Sequence, residues 1–147
     1  MDNRKKKGVV CTIKLPDTNQ VRVLAVHLSH RSRLLRIDSA RMIAQELGTS
    51  DLPLIAAGDF NSTRMGLSIG QTVQNDKSAM SVLLDSGVFS TLPLEKPTLD
   101  ELTFSAKKPD QLIDWILVSQ PGKLVSKKVH PVEFSDHRPV VGVVSIQ

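Results

Sequence analysis

The sequence is poor in cysteine, in aromatic residues and in long hydrophobic runs, and each shortage excludes a class of protein. Cys11 is the only cysteine among the 147 residues, which excludes an internal disulfide and any metal site built from several thiolates. Aromatic residues make up 3% of the chain, with four Phe, one Trp and no Tyr, so it lacks the stacking platforms of a single-strand-binding module. Any contact with nucleic acid is therefore expected to involve phosphates.

The hydrophobic runs are also short. None approaches the roughly 18 to 20 residues that cross a bilayer, which predicts a protein without a membrane span. The basic start at residues 1–7 is followed by a segment that is too short and polar for the apolar region of a signal peptide. A cytoplasmic location is expected if the chain is complete as written.

The rest of the composition is that of one folded domain. Hydrophobic residues at 40% and charged residues at 23% lie close to globular averages, and the length fits a single domain with a modest core. A net charge of +4 is compatible with a polyanionic partner without demonstrating one. The lysine pairs at 107–108 and 127–128 are interpreted as solubilising charge.

The first part of the chain has the pattern β-β-α-β. Residues 9–15 and 21–27 are rich in β-branched residues and flank a turn-like Pro-Asp-Thr-Asn segment, which predicts a hairpin. Apolar residues then recur at steps of three and four, which predicts an amphipathic helix over 32–47 with Gly48 at its C′ position. The short apolar run 54–57 predicts a buried strand.

The second part is less regular. A surface loop is predicted for 61–76, followed by a short helix over 78–85 that Ser78 caps and Gly87 ends. Thr103-Phe104 is predicted to open a strand. Three further strands are predicted over 112–118, 127–132 and 140–146. Mixed strands and helices of this kind predict an α/β sandwich in which helices cover a sheet.

Polar residues stand at the ends of several predicted strands: His27, Asp59, Asn61, Asp114, Asp136 and His137. Loops at strand ends commonly bind ligands, so these side chains converge if the strands are neighbours. Each residue also has a purely structural interpretation. Asp59 is a residue type that forms turns, Asn61 is one that caps turns or helices, and residues 136–137 could form a surface turn. Asp114 is different, because it lies between Ile113 and Trp115 in an apolar strand and an ionised carboxylate there needs a partner.

Four motifs in order carry a family resemblance: His27-Leu28, Gly58-Asp59-Phe60-Asn61, Ile113-Asp114-Trp115-Ile116 and Ser135-Asp136-His137-Arg138-Pro139. Together they resemble the endonuclease/exonuclease/phosphatase superfamily, which includes deoxyribonuclease I-like nucleases, over about residues 21–144. A single motif of this kind is weak, but four in the right order are specific. The resemblance implies part of a four-layer α/β sandwich with a mixed, mainly antiparallel sheet covered by helices.

The resemblance also implies a reaction and roles for the residues. Water would attack a phosphorus ester with the help of Mg²⁺, or of Mn²⁺ as an alternative, and Asp136 and Asp59 match metal-binding positions. Asn61 would donate to the phosphate, His27 would contact it or protonate the leaving group, and Asp114 would orient His137. Either His137 or Asp59 matches the general base. Phosphodiesters such as DNA or RNA are the expected substrates.

The length of the chain departs from this family. The superfamily domain is considerably longer, and its first half supplies an asparagine and a glutamate to the site, so residues 1–147 resemble a single domain that lacks its N-terminal portion. Such a chain is expected to expose an apolar sheet face and to self-associate. Two hypotheses follow, a Mg²⁺-dependent phosphodiesterase and a catalytically impaired member that binds phosphate ligands or a protein partner.

Overall fold

The structure is a computed structural model that describes residues 8–17, 19–63, 78–92, 95 and 97–146. A π-helical segment, Ile43–Leu47, continues the first α-helix, and a 3₁₀ turn covers Leu99–Glu101. None of the helices in the described ranges has the length and hydropathy to span a bilayer. The strands and α-helices are β1 Gly8–Lys14, β2 Gln20–His27, α1 Arg33–Met42, β3 Leu54–Asp59, α2 Ala79–Asp85, β4 Phe89–Ser90, β5 Asp114–Ser119, β6 Lys123–Val129 and β7 Val140–Ser145.

The strands form two sheets. The larger has the order β1-β2-β3-β5-β4, in which β2 and β3 are parallel and the other neighbours are antiparallel. The smaller is the antiparallel pair β6–β7, which packs beside β5. The structure thus has the mixed, mainly antiparallel sheet that the resemblance implied.

The predicted hairpin is confirmed. β1 and β2 pair in antiparallel register from Gly8 opposite Val26 to Lys14 opposite Gln20. In the turn, the Leu15 amide donates to the Asn19 carbonyl over 2.7 Å. The Asn19 side chain also donates to the Asp17 carboxylate over 3.0 Å, as turn-forming Asx residues commonly do. The sequence of the turn therefore sets the register.

Both predicted helices are present, and serines begin them. The Ser32 hydroxyl accepts a hydrogen bond from the Leu35 amide at the start of α1, and the Ser78 hydroxyl accepts one from the Ser81 amide at the start of α2. Gly87, which follows α2, has a φ of +72°, the left-handed conformation that glycine adopts without a steric penalty.

Gly48 does not have the C′ role that the sequence predicted. Its φ is −77°, in the right-handed region, so the end of the helix does not require a left-handed residue there. Instead, a Cβ at this position would lie 2.4 Å from Cγ1 of Val88. Close packing between the helix end and the segment after α2 explains the glycine.

Two expectations about the later strands need correction, and one strand was missed. The strand expected over 127–132 is β6, Lys123–Val129, because its register is set by antiparallel pairing with β7. Thr103-Phe104 opens no strand; Phe104 forms only isolated bridges, with Gln111 and His137. The two-residue strand β4 was not predicted, being too short to show a periodicity. Most of the loop expected at 61–76 lies outside the described residues.

The core lies between the five-stranded sheet and the two helices. Leu24, Ala56 and Leu117 occupy one register across β2, β3 and β5, and all three are buried on the face that α1 and α2 cover. Trp115, which is 1% exposed, joins the same cluster, and its indole N–H donates to the Ser62 carbonyl over 2.9 Å. The sheet thereby holds Asp114 in a fixed position beside a buried tryptophan.

Lys127 departs from the interpretation as solubilising charge. Its ammonium lies 5.5 Å from the centroid of the Trp115 ring and has no hydrogen-bond partner within the described part of the chain. Burial lowers its pKa to about 8, against a smaller opposing effect of Glu101. The neighbouring Lys128 is exposed, as expected.

Candidate active site

The sheet register brings three of the predicted site residues into one row. His27 ends β2 opposite Asp59 of β3, and Asp59 stands opposite Asp114 of β5. The amide of Leu28 donates to the Asp59 carbonyl, and the amide of Phe60 donates to the Ile113 carbonyl, both over 2.9 Å. Backbone pairing therefore continues past the strand ends and fixes the row.

Asp59 and Asn61 form a tightly bonded pair. The Asn61 amide donates to Oδ1 of Asp59 over 2.7 Å, and its side-chain nitrogen donates to Oδ2 over 2.8 Å and to the Leu28 carbonyl over 3.0 Å. Asn61 has a φ of 45°, a left-handed conformation that asparagine tolerates better than most residues. The pair is therefore more than a turn, because it also binds the end of β2.

Gly58 permits this arrangement. Its φ is +136°, and a Cβ there would lie 2.1 Å from the carbonyl oxygen of Val26 on the neighbouring strand. Glycine alone fits such a close approach of two backbones. The glycine of the Gly58-Asp59-Phe60-Asn61 motif thus allows β3 to run beside β2 up to the site.

Asp114 and His137 form a second pair. Nδ1 of His137 lies 2.8 Å from Oδ2 of Asp114, and both side chains are mostly buried. Burial lowers the pKa of His137, but the hydrogen bond to Asp114 and the charges of Asp114, Asp59 and Asp136 outweigh it, so the pKa is raised overall. The partner that an ionised Asp114 requires is this histidine.

Thr103 and Phe104 support that second pair. The fully buried Thr103 hydroxyl accepts hydrogen bonds from the amides of Ile113 and Asp114, over 3.3 and 3.2 Å. The Phe104 ring lies 4.9 Å from the His137 ring between centroids, and the Arg138 amide donates to the Thr103 carbonyl over 2.8 Å. These contacts hold the loop that carries His137 against the start of β5.

His27 lies at the open side of the site. Its Nε2 is 3.6 Å from Oδ2 of Asp59, and its side chain is 73% exposed. Burial raises the pKa of Asp59, and the negative charge of Asp114 raises it further. The hydrogen bond from the Asn61 amide lowers this pKa, and the charges of His137 and His27 lower it less, so the pKa is raised overall. The row thus places a solvent-accessible imidazole beside a carboxylate of raised pKa.

Asp136 lies beside His137 in the chain, with an exposed side chain. Its carboxylate accepts a hydrogen bond from the Ser135 hydroxyl over 3.0 Å, and its carbonyl accepts one from the Ala106 amide. Among the described residues, no group of three or more His, Cys, Asp or Glu side chains is arranged to hold a metal ion. Mg²⁺ commonly uses one or two protein carboxylates and keeps several waters, so the exposed Asp136 still suits it.

A polar cleft next to Asn61 was not predicted from the sequence. His30 and Arg36 line it on one side, and Asp110 and Gln111 line it on another. Arg36 reaches the cleft because its guanidinium donates back to the Ser29 carbonyl over 2.8 Å. No sequence pattern specifies that path, since an exposed arginine in the first turn of a helix normally extends into solvent.

Comparisons with known proteins support the fold. No protein-family model and no curated protein sequence matches the chain. A 3′ phosphatase from Neisseria, bound to a product DNA hairpin, matches with a TM-score of 0.69 and 18% identity, covering 98% of this chain and 66% of that one. An endonuclease/exonuclease/phosphatase from Bacteroides vulgatus matches with a TM-score of 0.68 and 19% identity, covering 95% and 55%.

A mannosyl-6-phosphatase from Bacteroides thetaiotaomicron is also similar, with a TM-score of 0.65 and 20% identity over 88% of this chain and 52% of that one. The chain therefore has the α/β fold of the endonuclease/exonuclease/phosphatase proteins, as the motifs implied, and spans about half the length of several of them. At these identities the likeness establishes the fold, and the activity rests on the site itself.

Proposed function

We propose that the chain is a Mg²⁺-dependent phosphoesterase that hydrolyses phosphodiester bonds, with nucleic acid as the favoured substrate. The observation that carries the proposal is the alignment of two hydrogen-bonded pairs, Asp59 with Asn61 and Asp114 with His137, whose aspartates stand opposite each other on adjacent strands of this fold. Solved structures with the same fold include a mannosyl-6-phosphatase and a 3′ phosphatase bound to product DNA, which supports phosphate-ester chemistry generally.

His137 is proposed to contact the phosphate as a cation. Its bond to Asp114 engages Nδ1 and leaves Nε2 as the donor for a phosphate oxygen. A raised pKa keeps more of the imidazole protonated near neutral pH, where a positive charge stabilises the negative charge that builds on the non-bridging oxygens. Asn61 is proposed to hold Asp59 in place rather than to donate to the phosphate as expected, because both hydrogens of its side-chain amide are already donated, to Oδ2 of Asp59 and to the Leu28 carbonyl.

Asp59 is proposed as the group that takes a proton from the attacking water. Its pKa is raised by burial, which brings the carboxylate closer to the range in which a base works at neutral pH. The water oxygen bonds to phosphorus as the ester oxygen leaves, and His27, 3.6 Å from Asp59, is placed to supply a proton to that oxygen. Asp136 would hold Mg²⁺, which when bound neutralises charge on the phosphate.

The test is hydrolysis by the purified chain. Supercoiled DNA and bis-p-nitrophenyl phosphate are incubated with Mg²⁺ and, separately, with a chelator. We expect chelator-sensitive turnover that falls about 10²- to 10⁴-fold in His137→Ala, the usual contribution of a positioned acid or base. His130→Ala is the matched control, because His130 lies at the end of β6 and contacts Pro139 and Val132 through its backbone. If His137→Ala hydrolyses these substrates as fast as the wild type, the proposal is wrong.

The second candidate is a catalytically impaired protein that binds phosphate ligands or a partner. It is favoured by one observation, that the described residues do not group three or more metal-binding side chains. Under this alternative the chain binds DNA without cleaving it at any Mg²⁺ concentration. Such binding would weaken steeply as salt rises, because phosphate contacts release counterions.

A further inference from the structure

The cleft beside Asn61 is the cavity that the proposed reaction does not use. Its volume is about 210 Å³, and Asn61 belongs both to its wall and to the pair with Asp59. Water occupies about 30 Å³ per molecule in the liquid, so the cleft has room for roughly seven waters or for one small ring. A group bound there would lie next to the Asp59–Asn61 pair of the candidate site.

The wall of the cleft has mixed polarity. His30 and Arg36 present nitrogen donors, Asp110 presents a carboxylate, and Gln111 presents an amide with both a donor and acceptor. A second phosphate would be repelled by Asp110, and a nucleobase would find no Phe, Tyr or Trp to stack on, only the His30 ring and the Arg36 guanidinium. Hydroxyl groups both donate and accept, so they match every part of this wall.

The wall is also held in place. The Arg36 guanidinium donates to the carbonyls of Ser29 and His30, over 2.8 and 3.3 Å. On the opposite side, the amides of Asp110 and Gln111 both donate to the Phe104 carbonyl over 2.9 Å. Since Phe104 contacts the His137 ring, the cleft and the candidate active site share one support.

One polar atom in the wall lacks a bond. The Thr63 hydroxyl is buried and has no hydrogen-bond partner within the described part of the chain. Because this oxygen is closed to solvent, a group in the cleft would reach it only after the Thr63 side chain turned, so recognition would rest on the other polar side chains of the wall.

We infer that this cleft recognises sugar hydroxyls next to the phosphate ester, with Asp110 as the main acceptor. The assignment of the bound group as part of the substrate rests on the proposed phosphoesterase function. Asp110 is then a specificity-determining residue: it favours a hydroxylated sugar over its deoxy analogue and contributes nothing to esters that lack a sugar. The 2-hydroxyl of ribose, which deoxyribose lacks, occurs both in free sugar phosphates and in RNA. The experiment below distinguishes these two sources.

Binding is measured by calorimetry with Mg²⁺ present, using ribose 5-phosphate against 2-deoxyribose 5-phosphate, and a short oligoribonucleotide against its deoxy counterpart. We expect the hydroxylated ligand of each pair to bind about tenfold more tightly, which is the lower limit of what a hydrogen bond to a charged group contributes. In Asp110→Asn that preference should fall several-fold. A preference confined to the oligonucleotide pair assigns the cleft to RNA, and one confined to the monosaccharide pair assigns it to free sugar phosphates.

Asp51→Asn is the matched control, since Asp51 is an exposed carboxylate in the turn before β3, at the opposite end of that strand from Asp59. Bis-p-nitrophenyl phosphate carries no sugar, so its hydrolysis should be equal in the wild type, Asp110→Asn and Asp51→Asn. Equal affinity for the hydroxylated and deoxy ligands would overturn the inference, as would a loss in Asp110→Asn that is the same for both. Absence of turnover with the ligand preference retained would overturn the proposed reaction and leave the cleft assignment standing.

Discussion

At the scale of single residues, the candidate site depends on carboxylates that are paired with nitrogen donors. Asp114 with His137 and Asp59 with Asn61 are separate pairs, and their aspartates stand opposite each other on neighbouring strands. Each pair satisfies a carboxylate that would otherwise be costly to bury. The sequence predicted that Asp114 needed a partner, and the four motifs indicated His137. The distance between Nδ1 of His137 and Oδ2 of Asp114, and the raised pKa of His137, could be obtained only from the structure.

Removing the charge of Asp114 should lower the pKa of His137. In Asp114→Asn the ionic hydrogen bond is lost while burial, which favours the neutral imidazole, remains. Titration of the His137 ring by NMR should therefore show a lower pKa than in the wild type. An unchanged His137 pKa would contradict the pairing. His130 serves as the internal reference in the same spectra, because it lies outside the pair.

The same change has a signed effect on stability. A histidine whose pKa is higher in the folded than in the unfolded state stabilises the fold fully below its unfolded pKa, about 6.5, provided that its carboxylate partner is ionised. That contribution disappears as pH rises through the folded pKa. The difference in unfolding free energy between the wild type and Asp114→Asn, measured by urea denaturation, should thus be larger at pH 5.5 than at pH 9.

At the scale of elements, local patterns located the hairpin and both helices but not every reason for their boundaries. Ser78 caps α2 as predicted, and Ser32, at the predicted start of the first helix, caps α1. Gly48 was given a left-handed role, yet it is required by packing against Val88, a contact between distant segments that no local pattern encodes. For the same reason β6 begins earlier than predicted, since its ends are set by pairing with β7.

Gly58 is the element-scale residue on which the site most depends. Gly58→Ala would place a Cβ 2.1 Å from the Val26 carbonyl oxygen and hold a non-glycine residue at a φ of +136°. Backbone strain of this kind costs about 1 to 3 kcal/mol, and the steric overlap adds to it. We expect a loss of unfolding free energy larger than about 3 kcal/mol in urea denaturation.

Gly87→Ala is the matched control for this prediction. Gly87 also has a positive φ, +72°, but a Cβ there meets nothing within 4 Å. Its cost should therefore be limited to the left-handed strain of about 1 to 2 kcal/mol. If Gly58→Ala is no more destabilising than Gly87→Ala, the close approach of β2 and β3 at the site is wrong.

At the scale of the whole molecule, the sheet has two unequal faces. The helices cover one, whereas the other presents a row of apolar side chains in register across β1, β2 and β3. On that face Val9 is 70% exposed and Ile13 is 44% exposed, and Ala25, which pairs with Val9, is exposed as well. The sequence predicted such a face from the length of the chain relative to the fold that its motifs resemble. Which residues form it followed only from the pairing register.

We expect this face to drive self-association. Cross-strand neighbours share a face, so Val9, Cys11 and Ile13 lie beside Val23, Ala25, Ile55 and Ala57, and none of these described residues is charged. Contiguous apolar patches of this kind commonly mark protein interfaces, and two copies would meet without like-charge repulsion.

Sedimentation velocity over a range of concentrations should show a dimer whose fraction rises with concentration. Ala25→Glu, which places a charge in the middle of the face, should return the chain to monomer. Leu34→Glu, at a 70% exposed position on α1, should leave the association unchanged. A wild-type chain that remains monomeric at every concentration, or association that Ala25→Glu leaves intact, would mean that this face is not the interface.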